Sequence, residues 1–251
     1  MEAMNYLQPV FRWAHIVAGI TWIGLLYYFN FMNGHIVGTM DGDTKKKVVP
    51  ELMPRVLFWF RWGAAWTWIT GVALLLIVFY HGQLMFAPDG GWAMQSGVML
   101  AVVFLGVYVY DILFKAVKNH QAAVAIGFVL IAAVIWLFVD WAGFTYRAYV
   151  IHTGAMFGTI MAFNVWIRIW PAQQKIITAV KNGEKPDPAW AGLAGMRSKH
   201  NTYLSVPLVW TMINQHSILF ASTHWYLVGA VALGWLVVFW MYKKGAQVKG
   251  F

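Results

Sequence analysis

The residues in this sequence that are best suited to redox or metal chemistry are its histidines. The chain has eight His and no Cys. His15, His152 and His216 fall on three separate apolar segments, each a few residues from the same predicted end. At 1.5 Å rise per residue they would share one level, roughly 6–8 Å below the membrane surface. Imidazoles on different helices at one level could hold haem iron, copper or zinc. Alternatively, each ring bonds only a neighbouring carbonyl group or water.

A second group of polar side chains lies toward the opposite predicted end. His200 falls there, and together with His35 and His120 it could flank a second cofactor. Arg61 lies inside the second apolar segment, where an ionised group is costly and marks a functional candidate. Its guanidinium could pair with a haem propionate or an anionic substrate, or reach the interface along its aliphatic stem. The predicted cofactor-binding residues are therefore His15, Arg61, His152, His200 and His216, with His15, His152 and His216 as the candidate ligands of haem iron or copper.

Other polar and small residues in the apolar segments are expected to join helices. Asp111 is predicted to pair with Arg61 or Lys115. Gly154 and Gly158 form a G-x-x-x-G, which favours close helix packing and would let a flat macrocycle approach the backbone. The residues predicted to hydrogen-bond between helices are Asn164, Asn201 and Asn214.

The composition is that of a membrane protein. Apolar residues make up 61% of the 251 and charged residues only 11%, whereas a soluble domain has about 25% charged residues. The absence of Cys excludes disulfides, iron–sulfur clusters and covalent haem attachment within this sequence. The formal net charge of +9 is attributed to membrane topology and not to nucleic-acid binding, because no aromatic-interleaved basic stretch accompanies it. No phosphate-binding Gly loop, Ser-His-Asp set or H-E-x-x-H motif is present.

The apolar pattern predicts an all-α bundle of about seven transmembrane helices in a single transmembrane domain, residues 1–251. A spanning helix needs about 20 apolar residues. Seven segments qualify, and residues 172–199 are predicted to form an extended loop. The predicted helices lie near residues 10–33, 56–80, 93–114, 121–140, 147–170, 202–220 and 223–243.

The distribution of Lys and Arg predicts the orientation of the bundle. Fifteen of the 18 basic residues fall on one side of the predicted bundle. They lie in the connections that follow the first, third and fifth predicted helices, in the helix ends beside these connections, or in the C-terminal tail. Only Arg12 and Arg147 fall on the other side. Because cytoplasmic loops are enriched in Lys and Arg, the N-terminus is predicted to lie outside and the C-terminus in the cytoplasm of a bacterial inner membrane. The fifteen are Lys45, Lys46, Lys47, Arg55, Lys115, Lys118, Arg168, Lys175, Lys181, Lys185, Arg197, Lys199, Lys243, Lys244 and Lys249.

Four strings in the chain resemble the membrane domain of the bacterial membrane-anchored urate hydroxylases. They are WAHIVAGITWIGLLYYFNF (13–31), FWFRWGAAWTWITG (58–71), HTGAMFGTIMAFNVWIRIWPAQQ (152–174) and GMRSKHNTYLSVPL (195–208). The resemblance implies an oxidoreductase of purine catabolism that converts urate to 5-hydroxyisourate and passes electrons to cytochrome c. His15, Arg61, His152 and His200 lie in these strings.

Typical members of that family continue into a C-terminal cytochrome c domain, and this sequence has no such domain. We therefore expect non-covalent haem b, no covalent haem, and electron transfer to a separate cytochrome c or to a larger respiratory or photosynthetic complex. Two alternatives stay open from the sequence. One is a cofactor-free accessory or structural subunit of a membrane complex, and the other is a transporter or channel for a small anion.

Overall fold

Seven long helices and no β-strand make up the part of the chain that the structure describes. The computed structural model describes the backbone of residues 2–248 and the side chains of residues 6–217, 219 and 221–248. The predicted all-α class is thus confirmed. The helices are α1 (Tyr6–Thr39), α2 (Gly42–His81), α3 (Met94–Ala116), α4 (His120–Trp141), α5 (Tyr146–Lys181), α6 (Pro188–Asn214) and α7 (Trp225–Gly245), with a short 3₁₀ segment, Ile218–Ser222, before α7.

Six of these helices, all except α6, are long and apolar enough to cross a membrane. The chain is therefore a multi-pass membrane protein, and these six helices overlap six of the seven predicted spans. The predicted sixth span, 202–220, is not one of them. It overlaps α6, which begins at Pro188, ends at Asn214 and buries Arg197, His200 and Asn201. These polar residues lower the hydropathy of α6, although they are buried against other helices.

Two predicted loop regions are helical instead. Helix α2 begins at Gly42 and not near residue 56, because the Asp41 carboxylate accepts the N–H groups of Asp43 and Thr44, each at 2.9 Å. Helix α5 continues to Lys181, so most of the predicted loop 172–199 is helical. The break before α6 is short because Gly183, at φ 77°, turns the chain.

Wide, π-type turns occur in four of the helices; they interrupt α1 and α5, and they end α2 and α4. They lie at Phe29–Asn33, Leu75–His81, Leu137–Trp141 and Asn164–Ile169. Such turns occur frequently at functional sites. The turn at Asn164–Ile169 lies within α5, before Pro171, and its residues Asn164 and Arg168 form hydrogen bonds with residues of other helices.

The bundle has two distinct ends. The turn end carries the short connections 40–41, 117–119 and 182–187, and the loop end carries the connections 82–93, 142–145 and 215–224. At the turn end, Asn30 of α1 is bonded to Ser198 of α6 at 2.8 Å and to Tyr242 of α7 at 2.9 Å. At the loop end, the Thr145 amide donates to the Met85 carbonyl at 2.9 Å. Helix α5 is the most buried of the six apolar helices.

Candidate functional site

His152 is sealed inside an aromatic shell at the loop end. Its ring is 0% exposed. The Nδ1 atom lies 2.7 Å from the Ala148 carbonyl, so it carries the proton and donates. The Nε2 atom is therefore an acceptor, and the Tyr80 hydroxyl lies 3.0 Å from it. The rings of Phe79, Phe138 and Phe144 surround the imidazole. Both nitrogens of His152 are thus already hydrogen-bonded within the protein.

His15 and His216 lie in separate environments. The Nδ1 atom of His15 is 2.9 Å from the Thr67 carbonyl and 3.2 Å from Thr70 Oγ1, which ties α1 to α2. His216 is predicted to lie inside a helix, but α6 ends at Asn214, and His216 lies in the exposed turn that follows. In the described residues no hydrogen bond or ring contact joins any two of His15, His152 and His216. The same residues contain no group of three His, Cys, Asp or Glu side chains that could hold a metal ion.

A buried charged network at the turn end centres on Asp111 of α3. This carboxylate is 5% exposed. Arg197 Nη2 donates to it at 2.8 Å, and Arg168 Nε donates at 3.1 Å. Lys115 Nζ lies 2.7 Å away on the same helix. The predicted pairing of Asp111 with Lys115 is confirmed. Three cations surround one carboxylate, so the network carries an excess of positive charge.

Tyr110, the residue beside Asp111, joins this network to a set of neutral polar groups. Its hydroxyl lies 2.8 Å from His200 Nδ1 and accepts from Asn164 Nδ2 at 2.9 Å. Asn164 also donates to Asn201 Oδ1 at 2.9 Å, which bonds α5 to α6 as predicted. We call this group the Arg197 cluster. Its members are Tyr110, Asp111, Asn164, Arg168, Arg197, His200 and Asn201.

Several atoms of the Arg197 cluster have no hydrogen-bonding partner. They are Arg197 Nε and Nη1, His200 Nε2 and Asn164 Oδ1, and each is buried. An unsatisfied buried polar atom costs about 1–3 kcal/mol. Native interiors leave few such atoms, and each calls for a structural or functional reason.

His200 also stacks on a second histidine. The rings of His200 and His120 are 5.2 Å apart and nearly parallel, at 19°. Phe114 contacts His200 at 4.3 Å between centroids. His120 is exposed at the start of α4, which places the Arg197 cluster directly beneath the surface of the turn end. Of the predicted cofactor-binding residues, His200 alone belongs to this cluster.

Arg61 lies apart from the Arg197 cluster, in an aromatic setting. Its guanidinium carbon is 4.0 Å from the centre of the Trp170 ring and 5.7 Å from that of Trp166. Its Nε atom is buried without a hydrogen-bonding partner. The ring stacking offsets part of the cost of burying this charge.

Hydropathy places Arg197 in the predicted 172–199 loop and assigns no role to Arg168 or Tyr110. The sequence does contain a signal for this cluster: Arg197 lies three residues before His200 and four residues before Asn201. Residues three or four apart share one helix face. This signal is masked because hydropathy assigns a charged stretch to solvent.

Comparison with known sequence families adds an independent observation. The family model described as "Urate oxidase N-terminal" matches residues 38–250. The chain belongs to this urate oxidase N-terminal family. Neither the comparison with curated proteins nor the comparison with solved structures gives a match.

The family match includes all the predicted cofactor-binding residues except His15. All members of the Arg197 cluster, together with Arg61, His152 and His216, lie within the residues matched to the urate oxidase N-terminal family. His15 lies before them. The sequence resemblance to urate hydroxylases is thus supported at the level of the family.

His152 has no free imidazole nitrogen for the haem expected from the urate hydroxylase resemblance. A bis-His haem needs two free imidazole nitrogens that face each other across the macrocycle. Both nitrogens of His152 are bonded. The G-x-x-x-G beside it packs directly on α6, because a Cβ at Gly154 would overlap Thr211 Oγ1 and one at Gly158 would lie 3.5 Å from Leu208. Haem b therefore stays a prediction from the sequence resemblance.

Proposed function

We propose that this member of the urate oxidase N-terminal family is a urate-hydroxylating oxidoreductase of the bacterial inner membrane. The single observation that carries the proposal is the family match over residues 38–250. The six apolar helices support residence in a lipid bilayer. The proposed reaction oxidises urate to 5-hydroxyisourate and reduces a one-electron acceptor, which we propose to be a separate cytochrome c.

The reaction balances with water as the source of oxygen. Urate gains a hydroxyl group at C5 from water and releases two protons and two electrons. Two molecules of oxidised cytochrome c accept the electrons one at a time. We propose a separate protein as the acceptor, since the residues of this sequence include no Cys that could attach a haem covalently.

Membrane vesicles that contain the full chain provide the test. Urate loss is followed by its ultraviolet absorbance and cytochrome c reduction by its visible spectrum, with the hydroxylated product identified by mass spectrometry. We expect about two cytochromes reduced per urate consumed, since each accepts one electron. Vesicles from cells that lack the chain are the control, and xanthine tests whether the oxidation is specific for urate.

Two other outcomes would contradict the proposal. Urate accumulation in proteoliposomes without oxidation would identify a transporter. Copurification in a stable membrane complex, with neither oxidation nor uptake of urate, would identify an accessory subunit.

A further inference from the structure

The three residues with unpartnered atoms in the Arg197 cluster all surround Tyr110. The guanidinium carbon of Arg197 lies 4.9 Å from the centre of the Tyr110 ring, and the Tyr110 hydroxyl contacts both His200 and Asn164. Stacking on the ring covers one face of the guanidinium. It does not satisfy Nε and Nη1, because their hydrogens lie in the guanidinium plane.

The charge of this cluster favours an anion. Arg197 is 1% exposed, and it shares the Asp111 carboxylate with Arg168 and Lys115. Water compensates the exposed Lys115, so the mostly buried Arg168 and Arg197 together face one carboxylate. Buried charge is costly unless an opposite charge compensates it, so the cluster is completed electrostatically by a ligand with a negative charge.

The unpartnered atoms also restrict the shape of that ligand. Arg197 Nε and Nη1 are two donors in one plane, and a planar group with neighbouring acceptors matches such donors. Asn164 Oδ1 is an acceptor and requires a donor from the ligand. His200 Nε2 either donates or accepts, according to the tautomer set by Tyr110. A planar anion with adjacent acceptors and an N–H group satisfies all of these atoms.

We propose that the Arg197 cluster is the binding site for the purine substrate as its urate monoanion, an inference that rests on the function proposed above. Arg197 binds an edge of the purine formed by a carbonyl oxygen and a ring nitrogen. Asn164 accepts a hydrogen bond from a purine N–H, and His200 contacts a further polar atom. The exposed His120 and Lys115 lie on the side from which the ligand enters, which the Lys and Arg distribution predicts to be cytoplasmic.

Equilibrium binding of radiolabelled urate to the detergent-purified full chain tests this site. The informative variant is Arg197→Lys, which keeps the positive charge beside Asp111 but removes the planar pair of donors. We expect urate affinity to fall at least tenfold. Arg147→Lys is the matched control, because Arg147 Nε is also buried without a partner but lies at the loop end. Affinity should be unchanged there.

A second variant covers the case in which Arg197→Lys does not fold. In His200→Asn the amide can replace the Nδ1 atom and keep the bond to Tyr110, while the Nε2 position is lost. We expect a lower melting temperature, because the buried ring packs on Phe114 and His120, and also weaker urate binding by the folded variant. A purely structural role for His200 would give the lower melting temperature with normal affinity.

The outcomes separate this site from the proposed function. Urate bound equally well by wild type and by the folded Arg197→Lys and His200→Asn variants would overturn the site and leave urate oxidation untouched. Oxidation of urate with an unchanged KM in both variants would do the same. Folded wild-type protein that neither binds nor oxidises urate would overturn both.

Discussion

The guanidinium of Arg197 lies over the ring of Tyr110, with 4.9 Å between the guanidinium carbon and the ring centre. Arg197 also donates a hydrogen bond to Asp111, the next residue after Tyr110, across 86 residues of sequence. This contact brings α3 and α6 together around a charge that is sealed from solvent. It also positions the Tyr110 hydroxyl between His200 on α6 and Asn164 on α5. One tyrosine therefore connects the ionic and the neutral halves of the Arg197 cluster.

Removal of that hydroxyl tests how strongly the two halves depend on it. In Tyr110→Phe the ring still stacks on Arg197, but His200 Nδ1 and Asn164 Nδ2 lose a partner. We expect the protein to be destabilised by about 1–3 kcal/mol, the cost of leaving buried polar groups unsatisfied. Thermal unfolding in detergent measures the loss. Tyr108→Phe on the same helix is the control, because Tyr108 is 56% exposed, and an equal loss there would contradict the prediction.

Loss of the charge on Asp111 should lower the stability of the protein more than loss of the Tyr110 hydroxyl. Asp111→Asn keeps the shape of the side chain but leaves Arg168 and the buried Arg197 without a counter-charge. Removing one partner of a buried ion pair costs roughly 3–5 kcal/mol, so we expect a markedly lower melting temperature or loss of folded protein. Asp140→Asn is the comparison, because Asp140 is half exposed and lies 3.6 Å from His224. Equal stability of the two variants would show that the charge on Asp111 does not support the fold.

The G-x-x-x-G on α5 predicts different costs at its two glycines. A Cβ at Gly154 would overlap Thr211 Oγ1 on α6, whereas one at Gly158 would meet Leu208 at 3.5 Å, an ordinary contact distance. Overpacking of this kind costs about 1–3 kcal/mol. We expect Gly154→Ala to lower the melting temperature by several degrees and Gly158→Ala to leave it nearly unchanged. Similar behaviour of the two variants would mean that α5 and α6 leave room for a methyl group between Gly154 and Thr211.

The haem prediction can be tested by visible spectroscopy of the purified chain, oxidised and dithionite-reduced, together with a pyridine haemochrome assay. Because Tyr80 and Ala148 occupy both nitrogens of His152, we expect no b-type α band that depends on this residue. A reduced α band that disappears in His152→Ala would restore the haem site predicted from the sequence. It would also show that the hydrogen bond from Tyr80 breaks when haem binds.

The correct sequence predictions concerned properties that are local along the chain. Apolar runs of about 20 residues identified six helices that could cross the bilayer, and the four quoted strings indicated the family by their residues alone. The pairing of Asp111 with Lys115 was also accessible, because the two residues are one helical turn apart. The predicted start of α2 and the predicted end of α5 were wrong because hydropathy ends a helix where charged residues begin. In the structure, hydrogen bonding by Asp41 decides where α2 starts, and the turn at Gly183 decides where α5 stops.

The sequence by itself determined that this chain is a helical, multi-pass membrane protein of the urate oxidase N-terminal family. Only the tertiary structure decided which polar residues meet. Depth along a helix indicated that His15, His152 and His216 share a level, but depth carries no information on the direction in which a side chain points. Arg197 was assigned to a solvated loop because its partners Asp111 and Tyr110 lie on another helix. A charge as deeply buried as that of Arg197 is compensated by the carboxylate of Asp111 on a distant segment, and that pairing exists only in the folded bundle.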